Sequence, residues 1–128
     1  MPMEITFDGG DRVDARYKGL TISTAQDGSL PAPFDLFLAS IGTCAGFYVF
    51  QFCQKRKLPT EGIRIEQRKV VDRESRMIER IEIDIKLPDE FPERYREAVI
   101  RSAQLCSVKK HLEQPPAIEV RTSTLEPV

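Results

Sequence analysis

Three cysteines, Cys44, Cys53 and Cys106, are the side chains of this 128-residue chain best suited to covalent chemistry. As thiolates they attack electrophilic sulfur and oxygen, and their reactivity follows their surroundings. Cys44 and Cys53 share one apolar run, Leu36–Gln54, that contains no charged residue. If that run is a helix, a turn of about 100° per residue puts positions nine apart on opposite sides, so the two cannot pair within it. Cys106 is the remaining partner for Cys44, although spacing alone does not bring the two together. Cysteine also serves as a small core hydrophobe, and composition leaves that reading open for all three. An odd count this low does not make a disulfide framework, and the spacings match no zinc pattern. His111 is the only histidine, so neither a metal cluster nor a resident cofactor is expected.

The elements that must hold these thiols can be read from periodicity. Met3, Ile5 and Phe7 alternate with polar residues, and Asp8-Gly9-Gly10-Asp11 supplies a turn. Val13, Ala15 and Tyr17 alternate next, Lys18-Gly19 makes a second tight turn, and Leu20, Ile22 and Thr24 continue a third strand. Gln26–Pro33 is rich in Gly, Pro, Asp and Ser and reads as a loop. Pro33 then opens the apolar helix, Asp35 suits its first turn, and Lys55, Arg56 and Lys57 close it before Pro59. Phe37, Ile41, Cys44, Tyr48 and Phe52 fall on one face of that helix. Ile63 and Ile65 begin a hairpin that turns near Asp72–Ser75. Its return strand, with Ile81, Ile83, Ile85 and Leu87 against Glu82, Asp84 and Lys86, carries the clearest alternation in the chain. A second helix from about Pro92 aligns Tyr95, Val99, Ser102 and Cys106, and a short helical piece spans Ser107–Leu112. Ile118, Val120, Thr122 and Thr124 read as a last strand. The order βββ-α-ββ-α-β makes an α+β fold, expected as one domain over residues 1–128.

Nineteen basic and twenty acidic residues leave a net charge of −1, which gives no case for nucleic acid or an acidic membrane as partner. Met1 is not followed by a secretory signal pattern, so a reducing cytoplasm is the expected location. The uncharged run approaches membrane-spanning length, but Ser40, Gly42, Thr43, Gly46, Gln51 and Gln54 dilute it. A helix buried nearly all round, in the centre of a domain or dimer, is the expectation instead.

The motifs add to this. Pro31-Ala-Pro-Phe-Asp-Leu-Phe-Leu-Ala-Ser-Ile-Gly-Thr-Cys44 resembles the helix signature of the OsmC/Ohr family. Ala103-Gln-Leu-Cys106-Ser-Val-Lys-Lys-His-Leu112 is similar to its second cysteine segment. Phe7-Asp-Gly-Gly-Asp-Arg12 and Tyr17-Lys-Gly-Leu-Thr-Ile22 are similar to its first strands. The resemblance spans essentially the whole chain in the matching order.

It implies an intertwined homodimer with the long helix at its centre and two sites at the interface. It also implies a peroxidase that reduces organic hydroperoxides or hydrogen peroxide. Cys44 would become a sulfenic acid, Cys106 would resolve it to a disulfide, and a dithiol or lipoyl-type reductant would reset the pair. Burial raises a thiol pKa, so something must offset it, normally a nearby cation. Arg12 best matches the family's activating arginine, with Arg16 second. Asp35 is the position matching the acid that grips it, or else a helix-start charge. The chain departs from the pattern at Phe34, where the studied peroxidases carry glutamate, and at Ser107, where the second segment usually has proline. Phe34 keeps a second reading open: a small-molecule-binding or redox-sensing protein on the same scaffold. A sulfur-carrier role for Cys44 is a third. Phe47, Tyr48 and Phe50 are candidates to line an apolar pocket, and His111 to donate a proton near Cys106. Each also has an ordinary packing or surface reading.

Overall fold

The structure, a computed structural model, describes residues 1–126. Three short strands open it: β1 (Glu4–Thr6), β2 (Val13–Tyr17) and β3 (Leu20–Thr24), an antiparallel meander in that order. Tyr17 pairs with Leu20, so Lys18 and Gly19 are the whole β2–β3 loop. Both have positive φ, 51° and 76°. That is the turn whose twist matches two paired strands, and glycine takes its second position without strain.

Helix α1 (Pro33–Lys55) follows. Pro33 is its first residue, and the Asp35 carboxylate accepts the Ala32 N–H at 2.9 Å, occupying one of the donors a helix start leaves free. Its end is a Schellman turn, with Leu58 N–H bonded to Cys53 O (2.9 Å) and Lys57 N–H to Gln54 O (3.2 Å). Lys57 holds the left-handed conformation there, at φ 55°. The basic residues therefore close the helix as expected, by backbone geometry as well as charge.

The antiparallel hairpin β4 (Arg64–Val71) and β5 (Ile78–Lys86) comes next, then a 3-10 turn (Glu93–Tyr95), α2 (Arg96–Ala103) and α3 (Ser107–Glu113). The core lies where α1 and α2 meet the hairpin. Ala45, Val49, Phe52 and Cys53 join Phe91, Val99 and Ala103, and Ile65, Ile83 and Ile85 pack on them. Each Val, Ile or Phe among them that is fully removed from water contributes about 1.5–3 kcal/mol before entropy is counted. At the other end of α1, β4 approaches closely because residue 42 is glycine. A Cβ there would collide with the Gln67 amide oxygen, and Gln67 instead donates to Leu38 O at 3.0 Å.

Three expectations are corrected. The buried stripe of α1 is Ile41, Ala45, Val49, Phe52 and Cys53, one position around from the face through Cys44 and Tyr48. The hairpin covers that stripe, and Cys44 lies at its edge, half-buried. Second, α2 stops at Ala103, and Cys106 begins α3 rather than ending the second helix. Third, the last strand is not formed. Residues 115–126 hold no regular element, and Ile118 and Val120 are 86% and 92% exposed. A strand exists only by pairing, and no edge within one copy takes this segment up. The meander is isolated in a similar way. None of its residues joins the core cluster, and Ile5, Phe7, Leu20 and Ile22 face solvent.

A candidate active site built from two thiols

Cys44 and Cys106 meet where the middle of α1 faces the start of α3. Cys106 is the N-cap of α3, and its sulfur accepts the Lys109 N–H at 3.5 Å. It does the work usually done by Ser, Thr, Asp or Asn. Cys44 faces the same first turn. Its sulfur lies 3.7 Å from Ser107 Oγ. The amides that open a helix have no partner inside it. Here those of Ser107 and Val108 face one sulfur and that of Lys109 the other.

The electrostatics separate the two thiols. Burial pushes Cys44 up, but hydrogen bonds from Cys106, the Val108 N–H and the Ser107 hydroxyl and N–H outweigh it, and its pKa ends below the ordinary thiol value. Burial pushes Cys106 up, and a hydrogen bond given to Cys44 raises it further, against a smaller lowering by the Lys109 N–H. Cys44 is thus the more acidic and the more accessible; Cys106, 2% exposed, is the neutral donor beside it. Cys53 sits on the far side of α1, fully buried, its pKa raised by burial with only a partial offset from Arg56. Nine residues along one helix therefore separate a hydrogen-bonded thiol from a packed one.

The charged candidates lie elsewhere. The Arg12 guanidinium grips Asp14 with two bonds, Nε to Oδ1 at 3.2 Å and Nη2 to Oδ2 at 2.8 Å, and reaches Ser23 Oγ at 3.5 Å. Asp14 is 1% exposed, and Arg12 holds its carboxyl well below the usual carboxylate range. Arg16 pairs with Asp8 at 3.4 Å. Neither arginine contacts Cys44 among the described residues. Asp35 takes the helix-start role left open for it and does not meet Arg12. Asp14 is the acid that sequence reasoning missed. Arg12 precedes β2, so strand alternation did not signal the pairing. Ser107 registered only as a missing proline, because nothing in the sequence places it beside Cys44.

His111 is exposed and donates through Nδ1 to Ser107 O at 2.7 Å, one turn back on its own helix, not to a sulfur. Phe47 and Phe50 are exposed, and Tyr48 stacks edge-on against Phe47. An apolar cleft of about 180 Å³ does adjoin the site, but its walls are Ile41, Ala45, Ile81, Ile83, Ala103 and Leu112, with Cys106 and Lys109. Among the described residues no group of His, Cys, Asp and Glu is placed to hold a metal ion.

Fold and site together define an α+β protein with paired thiols, one in the middle of a long helix and one at the cap of a short one. Residues 26–121 match the family described as OsmC-like protein, and the chain belongs to that family. Curated protein sequences contain no match. Solved structures do. A Psychrobacter arcticus 273-4 protein, assigned to the osmotic stress induced and detoxification response, superposes with a TM-score of 0.70 at 21% identity, over 84% of this chain and 85% of that one. An OsmC-like hydroperoxide resistance protein of Jannaschia sp. CCS1 gives 0.58 at 22% identity, over 88% and 82%. The organic hydroperoxide resistance protein OhrB of Bacillus subtilis gives 0.52 at 13%, over 90% and 93%. At these identities the likeness establishes the α+β fold.

Proposed function

We propose that the protein is a thiol peroxidase that reduces organic hydroperoxides or hydrogen peroxide through Cys44, with Cys106 resolving. The observation that carries this reading is the placing of both sulfurs at the start of α3, Cys44 against the Ser107 hydroxyl and Cys106 as the helix cap, with Cys44 favoured as the thiolate. The names of two structural relatives, both hydroperoxide resistance proteins, agree with it.

The Cys44 thiolate attacks the outer peroxide oxygen. A sulfur–oxygen bond forms, the oxygen–oxygen bond breaks, and the departing alkoxide takes a proton to leave as alcohol. Cys106 then attacks the sulfenic acid, water departs with the Cys106 proton, and the disulfide remains. A dithiol reductant of lipoyl type returns both thiols and leaves as its own disulfide. The apolar cleft beside Cys106 suits the hydrocarbon part of an organic hydroperoxide.

The working form is a cytoplasmic homodimer. Phe34, Phe47 and Phe50 on α1, Ile5 and Ile22 on the meander, and Ile118 and Val120 near the C-terminus are exposed within one copy. A second copy would cover them, and the long apolar run of α1 would become a dimer core. By length and composition α1 also passes for a membrane span, but that test is met by soluble core helices, and the buried stripe on α1 favours the latter. In the dimer, Arg12, aimed by Asp14, would reach the partner's thiol pair, with no nucleic acid involved.

The test is consumption of an alkyl hydroperoxide with dithiothreitol or dihydrolipoamide as reductant. Wild type should turn over and Cys44→Ser should not. No consumption with either reductant, together with an unoxidised Cys44 by mass spectrometry, overturns the reading.

A further inference from the structure

We propose that the Ser107 hydroxyl is a dedicated hydrogen-bond donor to the Cys44 thiolate, holding that sulfur charged and aimed from within its own chain. This rests on Cys44 being the reacting thiol.

Ser107 Oγ lies 3.7 Å from Cys44 Sγ, within range for a bond to sulfur, across 63 residues of sequence. The hydroxyl has no other hydrogen-bond partner among the described residues, so its direction is not set by competing contacts. Helix α3 does not need it either, because the cap is supplied by Cys106. Ser107 is itself exposed, so packing does not require a small polar side chain there. Its backbone is fixed from behind, since its carbonyl accepts the His111 Nδ1–H at 2.7 Å. A side chain needed neither for the core nor for the cap, and pointed at the reactive sulfur, has one remaining use.

The geometry fits the chemistry. When Cys44 ionises, the S–H bond breaks, the proton leaves to water and the electron pair stays on sulfur. The Ser107 O–H can then donate to that sulfur, and a hydrogen bond to a charged acceptor is stronger than one to a neutral thiol. Within one copy neither Arg12 nor Arg16 reaches Cys44, being engaged with Asp14 and Asp8, and Lys109 beside the cleft pairs with Glu113.

The experiment is the pH dependence of iodoacetamide alkylation at Cys44, followed by peptide mass spectrometry on the whole protein without peroxide. Ser107→Ala should move the midpoint up by about one unit, cutting thiolate roughly tenfold at a fixed pH below it. Ser107→Thr keeps the hydroxyl and should restore the wild-type midpoint. Ser107→Gly gives a second route to the same loss if alanine disturbs α3, which far-ultraviolet circular dichroism would report. A midpoint unchanged in a folded Ser107→Ala or Ser107→Gly protein, or a Thr variant that behaves like Ala, overturns the proposal. A shifted midpoint in a protein that consumes no hydroperoxide would sink the peroxidase reading while leaving the role of Ser107 standing.

Discussion

Cys44 and Cys53 are the same residue type on the same helix, nine positions apart, and the structure gives them opposite properties. Cys53 is sealed in the core against α2 and the hairpin, and burial alone raises its pKa. Cys44 is half-buried and faces a second cysteine, a hydroxyl and two free amides, which together outweigh its desolvation. What makes a thiol chemical here is the start of α3 on the opposite side of the groove. The helix that carries the cysteine contributes only its position.

The comparison can be broken at several points. The largest expected effect is on turnover: Cys44→Ser should fall to background in a hydroperoxide assay, whereas Cys53→Ser should keep activity once folded. A Cys53 variant that is folded and inactive would erase the distinction. Next, Cys106→Ala should stop the resolving step, so peroxide-treated protein accumulates a sulfenic acid on Cys44 that dimedone traps. Absence of the adduct while peroxide is still consumed would place resolution elsewhere.

Alkylation against pH sharpens the same contrast. Cys44 should react with a midpoint below the ordinary thiol value, because its neighbours favour the thiolate, and Cys106 with a midpoint above it. Cys53 should react only when the protein unfolds. Reactivity rises with pH for all three, so the order of midpoints, read by quantitative mass spectrometry, is the test.

Stability gives the smaller effects. Cys53→Ser buries a hydroxyl in an apolar site and should cost about 2 kcal/mol in chemical denaturation, against under about 1 kcal/mol for Cys44→Ser at the edge of the stripe. Equal losses would mean that the two environments differ less than the structure says. At the cap, Cys106→Ala should cost about 1 kcal/mol and Cys106→Ser almost nothing, because serine also accepts the Lys109 N–H.

The sequence reading captured the elements whose cause is local. Alternation placed Ile81, Ile83 and Ile85 on one strand, Pro33 and Pro59 bounded α1, and Lys18-Gly19 marked a two-residue turn. It erred where tertiary contacts decide. The buried stripe of α1 is set by what the hairpin covers, so it passes through Ala45 and Val49 rather than Cys44 and Tyr48. The segment around Ile118 and Val120 has strand composition but no partner edge in a single copy. At the site, the motifs pointed to Cys44 and Cys106, and both lie against the start of α3. They did not reveal Ser107, or that Arg12 is gripped by Asp14, because both depend on contacts that no local pattern encodes.

The most direct measurement is a disulfide map of wild-type protein after one equivalent of an alkyl hydroperoxide. The account predicts a mass lower by two hydrogens and a single peptide pair linking Cys44 to Cys106 within one chain, with Cys53 still a free thiol. A Cys44 that remains reduced, or a bond that joins it to Cys53, would contradict it.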